Sequence, residues 1–467
     1  MKLTRFLPYA ILAGTALMIL LSSRNTQAVP SYSRQTGLPC STCHFAPPEL
    51  TPFGRKFKLD GYVFSTKPQI NEDDPAKEKG KDDKDKSKSA GKNHNAALHL
   101  LEVFPLSAIF DTSFTATKSP QPGTQNGNFQ FPQDASLFLA GAWTSHIGSF
   151  VQVTYDSQGD HFSWDNTDVR YANNHQLFGK SLSYGVTFNN NPTVEDLWNS
   201  TPAWGFPSTG SSAAPGFTAA ALINGTLGQD VAGIGAYGMW NEHIYLAGTL
   251  YRSEHIGGAQ PNSGDGFGFN IRGVAPYWRA AWQTTTKNNS IEIGAYGIHA
   301  KVTPNGITGL MDSYTDYAFD FQVDHTIPQF KNDVLSFRGT YIRENSSLAA
   351  TFDAAGAALT RHHLNTAQAN VEYHYGTKLS GTVGVFNVNG TPDPLLFPQA
   401  AVSGSANGDP RSSGYVLNLS WWPEQNVDLA VQYTGYTRFN GAQNNYDGAG
   451  RNASGNNTLF LLARFVF

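Results

Sequence analysis

Only two cysteines occur in 467 residues, and they sit together in "PCSTCHF": Cys40 and Cys43 are three apart, with His44 directly behind. A disulfide between them would close a tiny loop and restrain little of the unfolded chain. Structural zinc wants four ligands, usually two such pairs, and there is no second pair. A thioredoxin-like redox pair belongs at a helix start in a βαβ unit, which Pro39 and Pro47 disfavour. C-x-x-C-H is the signature of c-type haem attachment. In that chemistry the two thiols form thioethers to the haem vinyl groups, and the histidine is the proximal iron ligand. The spacing therefore favours one covalent haem c on Cys40, Cys43 and His44, with a bare C-x-x-C pair as the alternative.

A distal iron ligand is harder to find. Methionine and histidine are the usual choices. Beyond residue 28 only Met239 and Met311 remain, both far along the chain, and residues 29–66 contain no second histidine. His94 and His99 are the nearest in sequence, and His99 is the candidate taken here. His362 and His363 are adjacent but fall in a segment that reads as an outer loop. A five-coordinate or water-ligated iron is the remaining option.

Haem attachment of this kind takes place outside the cytoplasm, so the chain should be exported. "MKLTRFLPYAILAGTALMILLSSRNTQA" carries Lys2 and Arg5, an apolar run from about Phe6 to Leu21, and a small-residue ending at Ala28. This reads as a signal peptide over residues 1–28, too short and wrongly flanked for a membrane helix. No later stretch approaches the ~18 apolar residues that a helical span needs. The net charge of −4 is small for the length, so nucleic acid is not an expected partner.

The elements that must position the haem motif follow from composition. Residues 67–93 hold 8 Lys and 7 Asp or Glu with almost no apolar side chain, which reads as a solvated linker. It separates a short haem segment, 29–66, from a long remainder, 94–467. That remainder alternates: in "LSYGVTFNN", Leu182, Tyr184, Val186 and Phe188 share one face and Ser183, Gly185, Thr187 and Asn189 the other. Such alternation marks strands with one apolar and one polar side. Tight turns join strand pairs, and long polar loops follow at 190–228, 253–265, 345–364, 390–412 and 440–455. Short turns alternating with long loops are the pattern of outer-membrane barrels. We expect 16 strands, beginning near residues 100, 134, 147, 165, 181, 229, 243, 266, 290, 313, 333, 365, 378, 413, 427 and 456.

The last strand, "NTLFLLARFVF", puts Leu459, Leu461, Ala463, Phe465 and Phe467 on one face and Arg464 and Thr458 on the other. On the preceding strand, Asp428 and Gln432 should face the lumen and Leu429 and Val431 the lipid. From His94 onward there are only 17 Lys and Arg, as expected where a charge on the lipid face costs roughly 2 to 4 kcal/mol at mid-bilayer. The expected fold is all-β: a transmembrane antiparallel β-barrel of about 16 strands with a short N-terminal haem-binding plug, in the outer membrane of a Gram-negative-type bacterium.

Residues 30–62, "PSYSRQTGLPCSTCHFAPPELTPFGRKFKLDGY", resemble the N-terminus of the outer-membrane monohaem cytochrome–porin fusions, whose type member is an iron-oxidising cytochrome. The likeness continues through "SFVQVTYD", "NTDVRYAN" and "NNNPTVEDLWNSTPAWGFP" (189–207) to the barrel end. It implies electron transfer from extracellular Fe(II), or another small donor, through the haem to a periplasmic cytochrome or other carrier. Fe(II) oxidase activity would follow. The 67–93 linker is longer than the family would lead one to expect.

In the plug, Pro47, Pro48 and Pro52 stiffen the chain. Arg34, Arg55, Lys56 and Lys58 can pair with haem propionates, with luminal acids, or with solvent. In 189–207, Glu195 and Asp196 could draw Fe(II) into the pore through hard oxygen ligands. The favoured reading is structural: prolines, Trp198 and Trp204 bracing a long loop. A haem-bearing diffusion porin without oxidase activity is the second class of function. A secreted haem peroxidase is weaker, since no distal acid–base pair is evident.

Overall fold

A computed structural model describes residues 30–64, 105–254, 270–304, 308–330 and 333–467. Residues 1–28, expected as a signal peptide, residues 67–93, expected as a linker, and His94 and His99 lie outside the described residues. The strands form one antiparallel sheet that closes on itself: the first, Leu106–Thr117 (β1), pairs along its length with the last, Thr458–Val466 (β16), from Ile109↔Val466 to Thr117↔Thr458. Sixteen strands make the wall once Asn270–Ile271 and Ala275–Thr285, which both pair with Asn289–Thr303, are counted as one interrupted strand (β8). Strand starts fall within six residues of the expected ones, the largest difference being Leu106 and Asn128 against 100 and 134. Closure leaves no unpaired edge, which is what a bilayer demands of a sheet.

The alternation resolves as expected. Val431 is 48 % exposed and Leu429 36 %, whereas Asp428 and Gln432 on either side of them are 6 % exposed each. Leu459 and Leu461 also point outward. At the short-turn end of the wall, Trp143, Phe178, Trp282, Phe330, Tyr375 and Trp421 are exposed, and Phe129, Phe131, Phe162 and Trp164 are exposed at the long-loop end. These are the two aromatic girdles of an outer-membrane barrel, so the short turns are periplasmic and the long loops outer. No described helix is long and apolar enough to cross a membrane.

Two segments pack against the inward face of the wall, through contacts such as Arg55 with Asp324 and Asp196 with Arg279. The first is the N-terminal segment, with helices Ser31–Thr36 (α1), Cys40–Cys43 (α2) and Pro52–Leu59 (α3). Gly37, at φ 68°, ends α1 in the left-handed region that glycine adopts freely. Thr51 caps α3 by accepting from Gly54 N at 3.1 Å, with Pro52 at the first helical position. The second is the loop after Lys180–Asn189 (β5): Val194, Glu195, Asp196, Leu197 and Trp198 are at most 1 % exposed.

Candidate haem site and the plugged lumen

The C-x-x-C-H motif forms a single helical turn. Pro39 was expected to oppose a helix start, but it occupies the N-cap position, where no intrahelical N–H is required, and the helix ends before Pro47. At i and i+3, Cys40 and Cys43 share one side of the turn. Both are free thiols and half-buried. Cys40 N donates to Gln425 Oε1 at 3.3 Å, and Gln425 lies in a periplasmic turn, so the motif sits at the periplasmic end of the lumen. The α3 helix packs hard against the motif. A Cβ on Gly54 would come within 2.2 Å of the Cys43 carbonyl oxygen, so only glycine fits there.

The side chains fit a covalent haem. Burial pushes the Cys40 thiol up and the Cys43 thiol up to about 11. A reactive redox C-x-x-C pair or a thiolate metal site has the opposite perturbation, so the thiols are held neutral. Burial also holds the His44 imidazole down, to about 4, against weaker upward pulls from the Pro48 and Glu49 backbone and the Glu49 carboxylate. A neutral imidazole is the ligating form. Its Nδ1 is shielded from water and has no hydrogen-bond partner among the described residues. His44 and Leu50 pair across a tight hairpin, which fixes the backbone behind the ring. Within the same segment, Tyr32, Phe57, Tyr62 and Phe64 pack on one another with ring centroids 5.0 to 6.3 Å apart.

Two basic residues of the segment, Arg55 and Arg34, meet the wall, Lys58 meets the inward loop, and Lys56 stays within the segment. Arg55 is ion-paired with Asp324 and donates to Ser290 Oγ at 2.7 Å. Lys58 donates to Val194 O at 2.7 Å and lies 4.3 Å from the Trp204 ring centroid, while burial pulls its ammonium down to about 7. Lys56 pairs with Asp60 one turn on, and Arg34 donates to Leu106 O. Arg170, on His161–Leu177 (β4), joins three elements at once. It donates to Asp168 Oδ2 at 2.7 Å, to Lys58 O at 3.2 Å and to Glu195 O at 2.7 Å.

Glu195 and Asp196 are both fully buried, which removes the cation-collecting reading. Asp196 is 2.9 Å from Arg279 Nη2 with both side chains at 0 % exposure, and Glu195 accepts from Thr249 Oγ1 at 2.9 Å. The loop does fold into the pore, and its acids latch it to the wall, in keeping with the structural reading. His362 and His363 are not in a loop: they open the strand Arg361–Tyr375 (β12) at its outer end, bonded to Asp393 and Thr391 at 2.9 Å each. A 15-residue strand spans about 50 Å, so they lie far from Cys40. Met239 is buried in a cluster with Leu59, Tyr237 and Tyr245, and Met311 is in an outer loop.

Sequence reasoning missed His374, at the periplasmic end of β12. Its ring centroid is 5.6 Å from that of Phe45, the residue after His44. Only alternation within β12 could have signalled it, since it points inward with Glu372.

No family model and no curated protein matches the chain. Solved structures with a similar course include OprB of Pseudomonas putida (12 % identity, 80 % of this chain and 96 % of that one, TM-score 0.48). The outer-membrane channel DcaP of Acinetobacter baumannii matches over 78 % and 96 % at 11 % identity (TM-score 0.46). An anion-selective porin from Comamonas acidovorans matches over 78 % and 98 % at 11 % identity (TM-score 0.46).

Proposed function

We propose that this outer-membrane barrel is an electron-transfer cytochrome–porin, carrying one covalent haem c on Cys40 and Cys43 with His44 as proximal ligand. Electrons would come from extracellular Fe(II) or another small donor and leave to a periplasmic carrier. The observation that carries this reading is the position of the C-x-x-C-H turn: half-buried, at the periplasmic mouth, on a segment bolted into the lumen by buried ion pairs. Haem held there supplies one-electron exchange at its iron. The chain does the rest. The wall excludes lipid, α3 and Phe45 back the motif, and Gln425 fixes Cys40 beside the periplasm.

The second reading is a haem-bearing diffusion porin, favoured by the closed 16-stranded wall with its polar inner face. Against free diffusion, residues 30–64 and the 190–228 loop both occupy that lumen. Two measurements separate the readings. Purified oxidised protein is mixed anaerobically with Fe(II) while the haem spectrum is followed, and single-channel conductance is compared with that of a chain lacking residues 30–64. Electron transfer requires haem reduction by Fe(II) and low conductance rising on deletion. A diffusion porin would conduct equally with and without the segment.

A further inference from the structure

We infer that Glu49, Glu372 and His374 form a binding site for one divalent transition-metal ion at the inner wall, beside the haem motif. Glu49 belongs to the N-terminal segment, and Glu372 and His374 are inward residues of β12, so the site exists only when the segment is docked. One ligand atom from each lies within 4.8 Å of the other two. His374 Nε2 is 3.3 Å from Glu49 Oε2 and 3.7 Å from Glu372 Oε1. Donors bonded to one metal at about 2.0 to 2.2 Å stand roughly 3 to 3.6 Å apart, so these separations need little adjustment. The His374 side chain is 3 % exposed, and among the described residues its Nε2 meets two carboxylates without a well-aligned hydrogen bond to either. A buried polar atom so poorly aligned with its neighbours is costly unless something between them is bonded in common.

Arg338 is the competing cation. It pairs with Glu49 through both Nη atoms and meets Glu372 Oε2 at 3.0 Å. It orients both carboxylates from one side, with Glu49 Oε2 and Glu372 Oε1 turned toward His374. The adjoining cavity, about 60 Å³, is lined by Glu49, Glu372 and Asp428. It is large enough for several waters, hence for an ion that keeps part of its aqua shell. Asp428 is among its lining residues, and its buried Oδ1 has no hydrogen-bond partner among the described residues. Two carboxylates and one imidazole suit Fe(II), Mn(II) or Zn(II) more than Ca(II), which takes oxygen alone, or Cu(I), which prefers sulfur. That the natural occupant is Fe(II) rests on the proposed function; the site itself does not.

The test uses Mn(II) and Zn(II), which cannot reduce the haem. The full chain in detergent is titrated with Mn(II) and bound ion is followed by loss of the free-ion paramagnetic resonance signal. One site per chain is expected, weakened at least ~10-fold by Glu372→Gln or His374→Gln, while Glu195→Gln binds as the wild type does. Equal binding by wild type and both site variants, or no saturable site, overturns the inference. Should the variants fail to fold, the wild-type zinc complex decides. X-ray absorption must show one imidazole among oxygen ligands, and all-oxygen ligation overturns it. Haem content is measured separately on a denaturing gel, so a chain that binds Mn(II) but carries no haem refutes the electron-transfer reading and leaves the site standing.

Discussion

Arg55 of the N-terminal segment and Asp324 of the barrel wall, 269 residues apart in sequence, are ion-paired in the lumen with side-chain exposures of 5 % and 4 %. Removing one partner of such a pair strands the other as an uncompensated buried charge, at a cost of about 3 to 5 kcal/mol. Arg55→Ala should therefore loosen the docked segment without opening the barrel. Limited proteolysis should cut residues 30–64 faster, while the barrel keeps its heat-modifiable migration. An unchanged cleavage rate would mean the segment is held by its aromatic contacts alone.

Cys40→Ala combined with Cys43→Ala should abolish haem stain on a denaturing gel and leave a folded barrel, because both thiols are half-buried at the mouth and neither contributes to the wall. Stain retained in the double variant would remove the attachment assignment.

His44→Ala should keep the thioethers and lose the proximal ligand. The reduced spectrum should become high-spin. A low-spin spectrum identical to the wild type would assign iron ligation to another side chain.

Glu195 predicts a pH effect on the inward loop. Burial, only partly offset by Arg170 and the Thr249 hydroxyl, pushes its carboxyl up to about 7. An exposed glutamate titrates near 4.3, so between about 4.3 and 7 the folded state holds a proton that the unfolded state has released. Stability from this group is therefore greatest below about 4.3, falls as pH rises through 7, and levels off above, a loss on the order of 3 kcal/mol. Thermal unfolding in detergent from pH 4.5 to 7.5 should show this slope in the wild type, and Glu195→Gln should flatten it. Parallel profiles would place the control elsewhere.

The wall was readable in the sequence because a bilayer imposes a period of two on every strand. Val431 and Gln432 declare their faces without any knowledge of their neighbours. Strand count followed from turn chemistry, which is also local. The lumen was less readable. Whether Glu195 collects cations or is latched depends on Thr249 and Arg279, and what Arg55 meets depends on Asp324. These partnerships are set by closure and register, which bring residues hundreds of positions apart to one level of the barrel. His374 escaped notice for the same reason, since its neighbour Glu49 comes from the far end of the chain. His362 and His363 were misplaced because polar residues at the outer end of a strand look like a loop.

The most direct test of the central claim uses liposomes carrying the barrel with its long loops outward and a soluble c-type cytochrome trapped inside. Fe(II) held in solution by a chelator too large to enter the lumen, and the same ion unchelated, are added outside under anaerobic conditions. The account predicts that the trapped cytochrome is reduced quickly by the free ion, slowly by the bulky complex, and not at all when the barrel carries Cys40→Ala and Cys43→Ala. Reduction at equal rates with the haem-free variant would show that the barrel merely lets the ion through, and would contradict the account.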